Sequence, residues 1–93
     1  MALALSGQAL AEDDARAVPL FDARFAISDI LAMAKEKGKS LAVVLNGGVT
    51  YTGKVKAVGT HAVILTELGG KEFFDAFIPL ESIVALEERV RLR

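Results

Sequence analysis

The sequence predicts a mainly β protein: an N-terminal helix followed by five short antiparallel strands, curled into a strongly bent open barrel. Three observations lead there. The stretch Leu41 to Leu65, LAVVLNGGVTYTGKVKAVGTHAVIL, reads as three consecutive strands with almost no spare residues between them. A helical stripe of apolar residues precedes it, and two further short apolar runs follow. Gly53 lies in the middle of the longest predicted strand, where a glycine weakens the strand unless it must bend sharply or another backbone comes close.

The elements follow in chain order. Residues 1–20 form an N-terminal extension, rich in alanine and leucine, with an acidic knot at Glu12, Asp13 and Asp14. Ala9, Leu10 and the alanines after the knot are compatible with a weak helix, and Pro19 separates it from a single domain over residues 21–93. The main helix falls within Phe21–Lys37. Ile27, Ile30, Leu31 and Ala34 recur at helical spacing with Met33 beside them, so one stripe must lie on an open side of the sheet. Asp22 and Ser28 are the candidate N-caps. Lys35 and Lys37 followed by Gly38 supply a basic last turn and a left-handed stop.

The first strand spans Leu41–Asn46 and ends at the Gly47-Gly48 turn. The second spans Val49–Val58, with Val49, Tyr51, Val55 and Ala57 on one face and Thr50, Thr52, Lys54 and Lys56 on the other. Gly59-Thr60 turns the chain into the third strand, His61–Thr66. Leu68–Glu72 is a turn, Phe73–Ile78 a fourth strand apolar on both faces, Pro79–Glu81 a tight turn, and Ser82–Glu87 the fifth strand. The tail Glu88–Arg93 alternates Arg89, Arg91 and Arg93 with Val90 and Leu92, and either extends that strand or hangs free.

Composition sets bounds on function. A chain of 93 residues is one domain and buries roughly 60% of its unfolded surface. Yet 53% of its residues are hydrophobic, with mean hydropathy +0.42. That excess predicts that a second copy hides part of the apolar surface. No apolar run approaches a membrane span, so no membrane partner is expected. Without cysteine there is no disulfide framework and no thiolate metal site, and neither metal nor cofactor is expected. The N-terminus lacks a basic n-region and its apolar stretch is broken by Ser6-Gly7-Gln8, so a signal peptide is not expected and the cytoplasm is the default location. Net charge is −1, with residues 1–33 acidic and residues 34–93 mildly basic. One histidine, no nucleophile elbow, no phosphate loop and scattered carboxylates argue against an enzyme.

With its helix ending at Gly38, VVLNGGVTYTGKV, VGTHAVIL and FIPLESIVAL, the chain resembles the Sm-like family, which includes Sm, LSm and Hfq proteins and belongs to the wider class of SH3-like barrels. The resemblance covers residues 22–87. It implies an open five-stranded barrel whose last two strands pair edge to edge with the next copy, closing a homo-oligomeric ring. Phe73, Phe74, Phe77, Ile78 and Ile83 would then be interface residues. It also implies binding of single-stranded RNA by two loops, which fall on Gly59-Thr60-His61 and on Phe77-Ile78-Pro79. The family shows an aspartate where Gly59 stands, and a basic residue in the second loop where this chain has none.

Two functions therefore stand side by side. In one, a ring binds single-stranded RNA, with a hydrogen bond from Thr60, stacking on His61, and Lys54 and Lys56 meeting phosphate. In the other, the ring lacks the RNA pocket and serves as a structural or protein-interaction module. On that reading His61 is an idle loop residue, the two lysines are an ordinary solvated face, and the tail arginines merely neutralise Glu87 and Glu88.

Overall fold

The computed structural model describes residues 19–91. The weak helix expected within residues 1–18 and the end of the arginine tail lie outside them. The described chain runs α1 (Ile27–Lys37), β1 (Ser40–Leu45), β2 (Thr50–Val58), β3 (Ala62–Thr66), β4 (Ala76–Pro79), a 3-10 turn at Leu80–Ser82, and β5 (Ile83–Glu87). The strands form one antiparallel sheet in the order β4-β3-β2-β1-β5, so β4 and β5 are its two edges.

The expected stripe forms α1. Ile30, Leu31 and Ala34 are buried, with Ile27 and Met33 packed at their margin. Its start differs from expectation. The N-cap is Ala26, which offers no side-chain acceptor; instead the Asp29 carboxylate reaches back to accept from the Ala26 N–H at 3.1 Å. Asp22 is engaged elsewhere, accepting from the Arg24 guanidinium at 2.7 and 2.9 Å. The C-terminus matches the prediction. Gly38 takes φ 65°, its N–H donates to Lys35 O, and Lys39 N–H donates to Ala34 O, which satisfies carbonyls the helix would leave open.

The core joins the helix stripe to Leu41 and Val43 of β1, Val55 of β2, Val63 and Leu65 of β3, and Ile78 and Ile83 from the edge strands. Each such side chain contributes about 1.5–3 kcal/mol on burial. Leu20 belongs to the same core.

The hairpin β1–β2 pairs Ser40 with Lys54 and Val44 with Thr50. Val49, expected in β2, lies in the turn instead and is exposed. The predicted alternation in β2 holds as far as Val55. Between Val55 and Ala57 the pairing with β3 slips by one residue, a bulge at Lys56 that sharpens the bend. Gly53 is buried three residues earlier. A Cβ there would lie 2.6 Å from the Thr66 carbonyl oxygen, so the close backbone approach expected of this glycine is what the fold contains.

The fourth strand is shorter than expected. Phe73, Phe74 and Asp75 precede it in a turn held by Phe74 N–H to Lys71 O at 3.0 Å. Pairing with β3 begins only at Ala76, opposite Leu65. Pro79 is the last residue of β4 rather than part of the turn, and the connection to β5 is Leu80–Ser82. The tail does not extend β5. Glu88 instead folds inward, its side chain 2% exposed, to accept from the Leu20 N–H at 2.8 Å and from Lys39 Nζ at 3.1 Å.

Candidate nucleic-acid interface and assembly edges

The β2–β3 turn is built by Gly59, whose N–H donates to Ala62 O at 2.8 Å. That closure leaves Thr60 and His61 exposed at the tip. The His61 carbonyl then accepts from the Leu80 N–H at 2.8 Å, and Ala62 pairs with Pro79. The β2–β3 turn and the β4–β5 connection therefore lie side by side at one end of the barrel. The connection is tied on its far side as well, through Asn46 N–H to Ser82 O at 2.9 Å.

Part of the expected second contact loop is corrected by this geometry. Phe77 and Ile78 are strand residues opposite Ile64 and Val63, and the segment that reaches the Thr60–His61 turn is Pro79–Ser82. Chain order gave no sign that Leu80, Glu81 and Ser82 would be its neighbours. Neither turn carries a cation, and the one charged side chain among them is Glu81.

Lys54 and Lys56 are not part of this cluster. Lys54 pairs with Thr66, at the opposite end of β3 from the turn. Lys56 lies four positions before Thr60, about 13 Å along an extended backbone. Both ammonium groups already face carboxylates: Lys54 Nζ lies 3.6 Å from Glu67 and Lys56 Nζ 2.9 Å from Asp75. The Lys56 hydrogen bond, with one from the Thr66 side chain, holds the Asp75 carboxyl below its usual range. Lys56 thereby braces the segment that carries Phe73 and Phe74, while Lys54 faces the residue directly after β3.

The residues expected at a subunit interface divide in two. Ile78 and Ile83 point into the protomer's own core, so their side chains are already covered. Phe73, Phe74 and Phe77 are 100%, 64% and 72% exposed. A groove of about 310 Å³ beside them is lined by Phe74, Phe77, Pro79, Leu45, Tyr51 and Ser82, among others. Lys71 stands over the Tyr51 ring at 5.6 Å. Among the described residues no helix is long and apolar enough to cross a membrane, and no cluster of His, Asp and Glu is placed to hold a metal ion.

No family model and no curated protein matches the sequence. Solved structures do. The pleiotropic translational regulator Hfq superposes with a TM-score of 0.60 at 14% identity, over 74% of this chain and 98% of Hfq. An Sm-like archaeal protein from Pyrobaculum aerophilum superposes with a TM-score of 0.57 at 26% identity, over 70% of this chain and 52% of that one. Helix first, a five-stranded sheet with β4 and β5 at its edges, and a buried glycine in the second strand where the third comes close: the chain has the Sm-like fold.

Proposed function

We propose that this chain is a non-enzymatic, ring-forming Sm-like protein that binds single-stranded RNA at the end of the barrel where its two turns meet. The hydrogen bond from Leu80 N–H to His61 O carries the reading, because it brings the β4–β5 connection against the exposed Thr60–His61 tip. Thr60 offers a hydroxyl to a base edge and His61 a ring face for stacking. Assembly through the β4 and β5 edges, with Phe73, Phe74 and Phe77 buried against the next copy, would repeat this tip around a pore. The resemblance to Sm-like proteins supports both parts.

Fluorescence anisotropy with labelled oligo-U and oligo-A at low salt tests the RNA part. Saturable binding that weakens as salt is added is expected. His61→Ala should cost about 1–3 kcal/mol, the worth of one stacked base. A ring that binds neither oligomer supports the second reading, a structural or protein-interaction module. One observation favours that reading: the two turns hold no cation, and Lys54 and Lys56 each face a carboxylate. Light scattering tests the ring, and a stable monomer at micromolar concentration refutes it.

A further inference from the structure

The two turns that meet at the end of the barrel carry a single charge, and it is negative. Thr60 and His61 are exposed at the β2–β3 tip, and the Leu80 N–H donates to the His61 carbonyl at 2.8 Å. Glu81 is the next residue on that connection, about 3.8 Å from Leu80 between Cα atoms. It too is exposed. Elsewhere in the barrel carboxylates are engaged by cations: Asp22 by Arg24, Glu67 by Lys54, Asp75 by Lys56 and Glu88 by Lys39. The side chains of Thr60, His61 and Glu81 have no hydrogen bond or ion pair among the described residues, so the hydroxyl, the ring and the carboxylate are all available to a ligand. A carboxylate repels phosphate and accepts from N–H groups. A strand of RNA at this tip therefore meets Glu81 with a base edge rather than with its backbone.

We infer, on the RNA reading above, that Glu81 makes this tip select guanine. An ionised carboxylate is acceptor-only, with two oxygens side by side. Bases of single-stranded RNA are read on their Watson–Crick edges while they stack on a side chain such as His61. Guanine is the base whose edge sets two donors together, N1–H and the N2 amino group, so it satisfies both oxygens at once. Adenine and cytosine offer one amino donor beside a ring-nitrogen acceptor. Uracil offers one N–H between two carbonyl oxygens, which the carboxylate repels. Thr60 completes the match from the neighbouring turn, because guanine O6 accepts from a hydroxyl of the kind it carries. A basic side chain at Glu81 would choose the other way, toward the carbonyl oxygens of uracil. The preference for guanine should be about tenfold, within the range of a bidentate base contact.

The test is anisotropy at low salt with labelled oligo-U and with the same strand carrying guanosine, inosine or adenosine at every third position. The parent chain is compared with Glu81→Gln, a same-sized change at an exposed side chain without partners. The guanosine strand should bind the parent about tenfold tighter than oligo-U. The inosine strand, which lacks only the N2 amino group, should lose most of that gain. In Glu81→Gln, whose amide both donates and accepts, the strands should fall within about twofold of one another. Removing the charge tightens every strand, so the ratio between strands is the quantity read. His61→Ala should instead weaken all strands together, since stacking tolerates any base. Oligo-U binding as tightly as the guanosine strand overturns the guanine assignment and leaves the RNA reading standing. A guanosine preference that persists in Glu81→Gln does the same. If no strand binds the parent, the RNA reading fails and the assignment falls with it.

Discussion

Gly53→Ala tests the close approach of β2 and β3 most directly. The added methyl carbon would sit 2.6 Å from the Thr66 carbonyl oxygen and 3.1 Å from Leu68 Cδ2. The first distance is shorter than folded proteins tolerate, and the obstacle is backbone. Thr66 cannot simply step aside. It is held opposite Lys54 in the sheet, and its side chain is hydrogen-bonded to Asp75. Relief therefore means moving β3 away from β2 or opening the bend. Forcing a methyl group into packed structure costs about 1–3 kcal/mol, which lowers the melting temperature of a domain this size by about 4–8 °C per kcal/mol. Thermal denaturation at fixed protein concentration reads it, since any assembly would shift the midpoint. Gly59→Ala is the matched control. A Cβ there meets only an ordinary 3.5 Å contact, and the backbone is not left-handed, so the change should be neutral or stabilise by up to about 1 kcal/mol. A Gly53→Ala midpoint within about 0.5 kcal/mol of the parent, the range of an ordinary surface substitution, would refute the claim that close approach demands this glycine.

Three further outcomes are expected. Glu88→Ala leaves the Leu20 N–H without its acceptor and removes the carboxylate 3.1 Å from Lys39 Nζ, and should cost about 1–3 kcal/mol in urea unfolding. Joint replacement of Phe73, Phe74 and Phe77 by serine should leave protomer stability within about 1 kcal/mol, because these rings are exposed. The same variant should raise the concentration for assembly more than about tenfold, as loss of buried aromatic anchors does; unchanged light-scattering profiles would exclude these rings from the interface. Acid should loosen the segment carrying Phe73 and Phe74. Asp75 is held below its ordinary value in the fold by Lys56 and Thr66, so its contribution is present above the unfolded carboxyl value of about 3.9 and is lost as pH falls through the lower folded value. Amide exchange at Lys71–Asp75 should show this acid limb, and Asp75→Asn should remove it.

The central stretch was legible because its cues are local. Period-two apolar positions and the Gly47-Gly48 pair specify a hairpin with no reference to distant residues. Gly53 announced a close backbone approach by being in the wrong place for a strand. The bulge at Lys56 was not legible, since a one-residue slip leaves no mark on composition. Phe73 and Phe74 misled for a related reason. An apolar pair next to a strand looks like strand, yet the ladder with β3 starts at Ala76 and the phenyl rings stay outside it. The helix start escaped notice because the stabilising carboxylate, Asp29, sits inside the helix rather than ahead of it. For the candidate site, the Thr60–His61 tip could be read from its turn, but its pairing with Leu80 is long-range and comes from the register of β3 with β4.

The contact between Leu20 and Glu88 joins positions 68 residues apart in the chain and brings the start of the described chain beside the residue after β5. Such a body can be re-cut. A short peptide linking Arg91 to Pro19 would close the backbone, and new ends could open at the exposed Gly47-Gly48 turn. The same proximity allows two copies to be joined head to tail with a modest linker. Evolution or a protein engineer could thus build a single chain with unequal neighbouring barrels, each altered on its own, from a sequence that otherwise supplies one barrel.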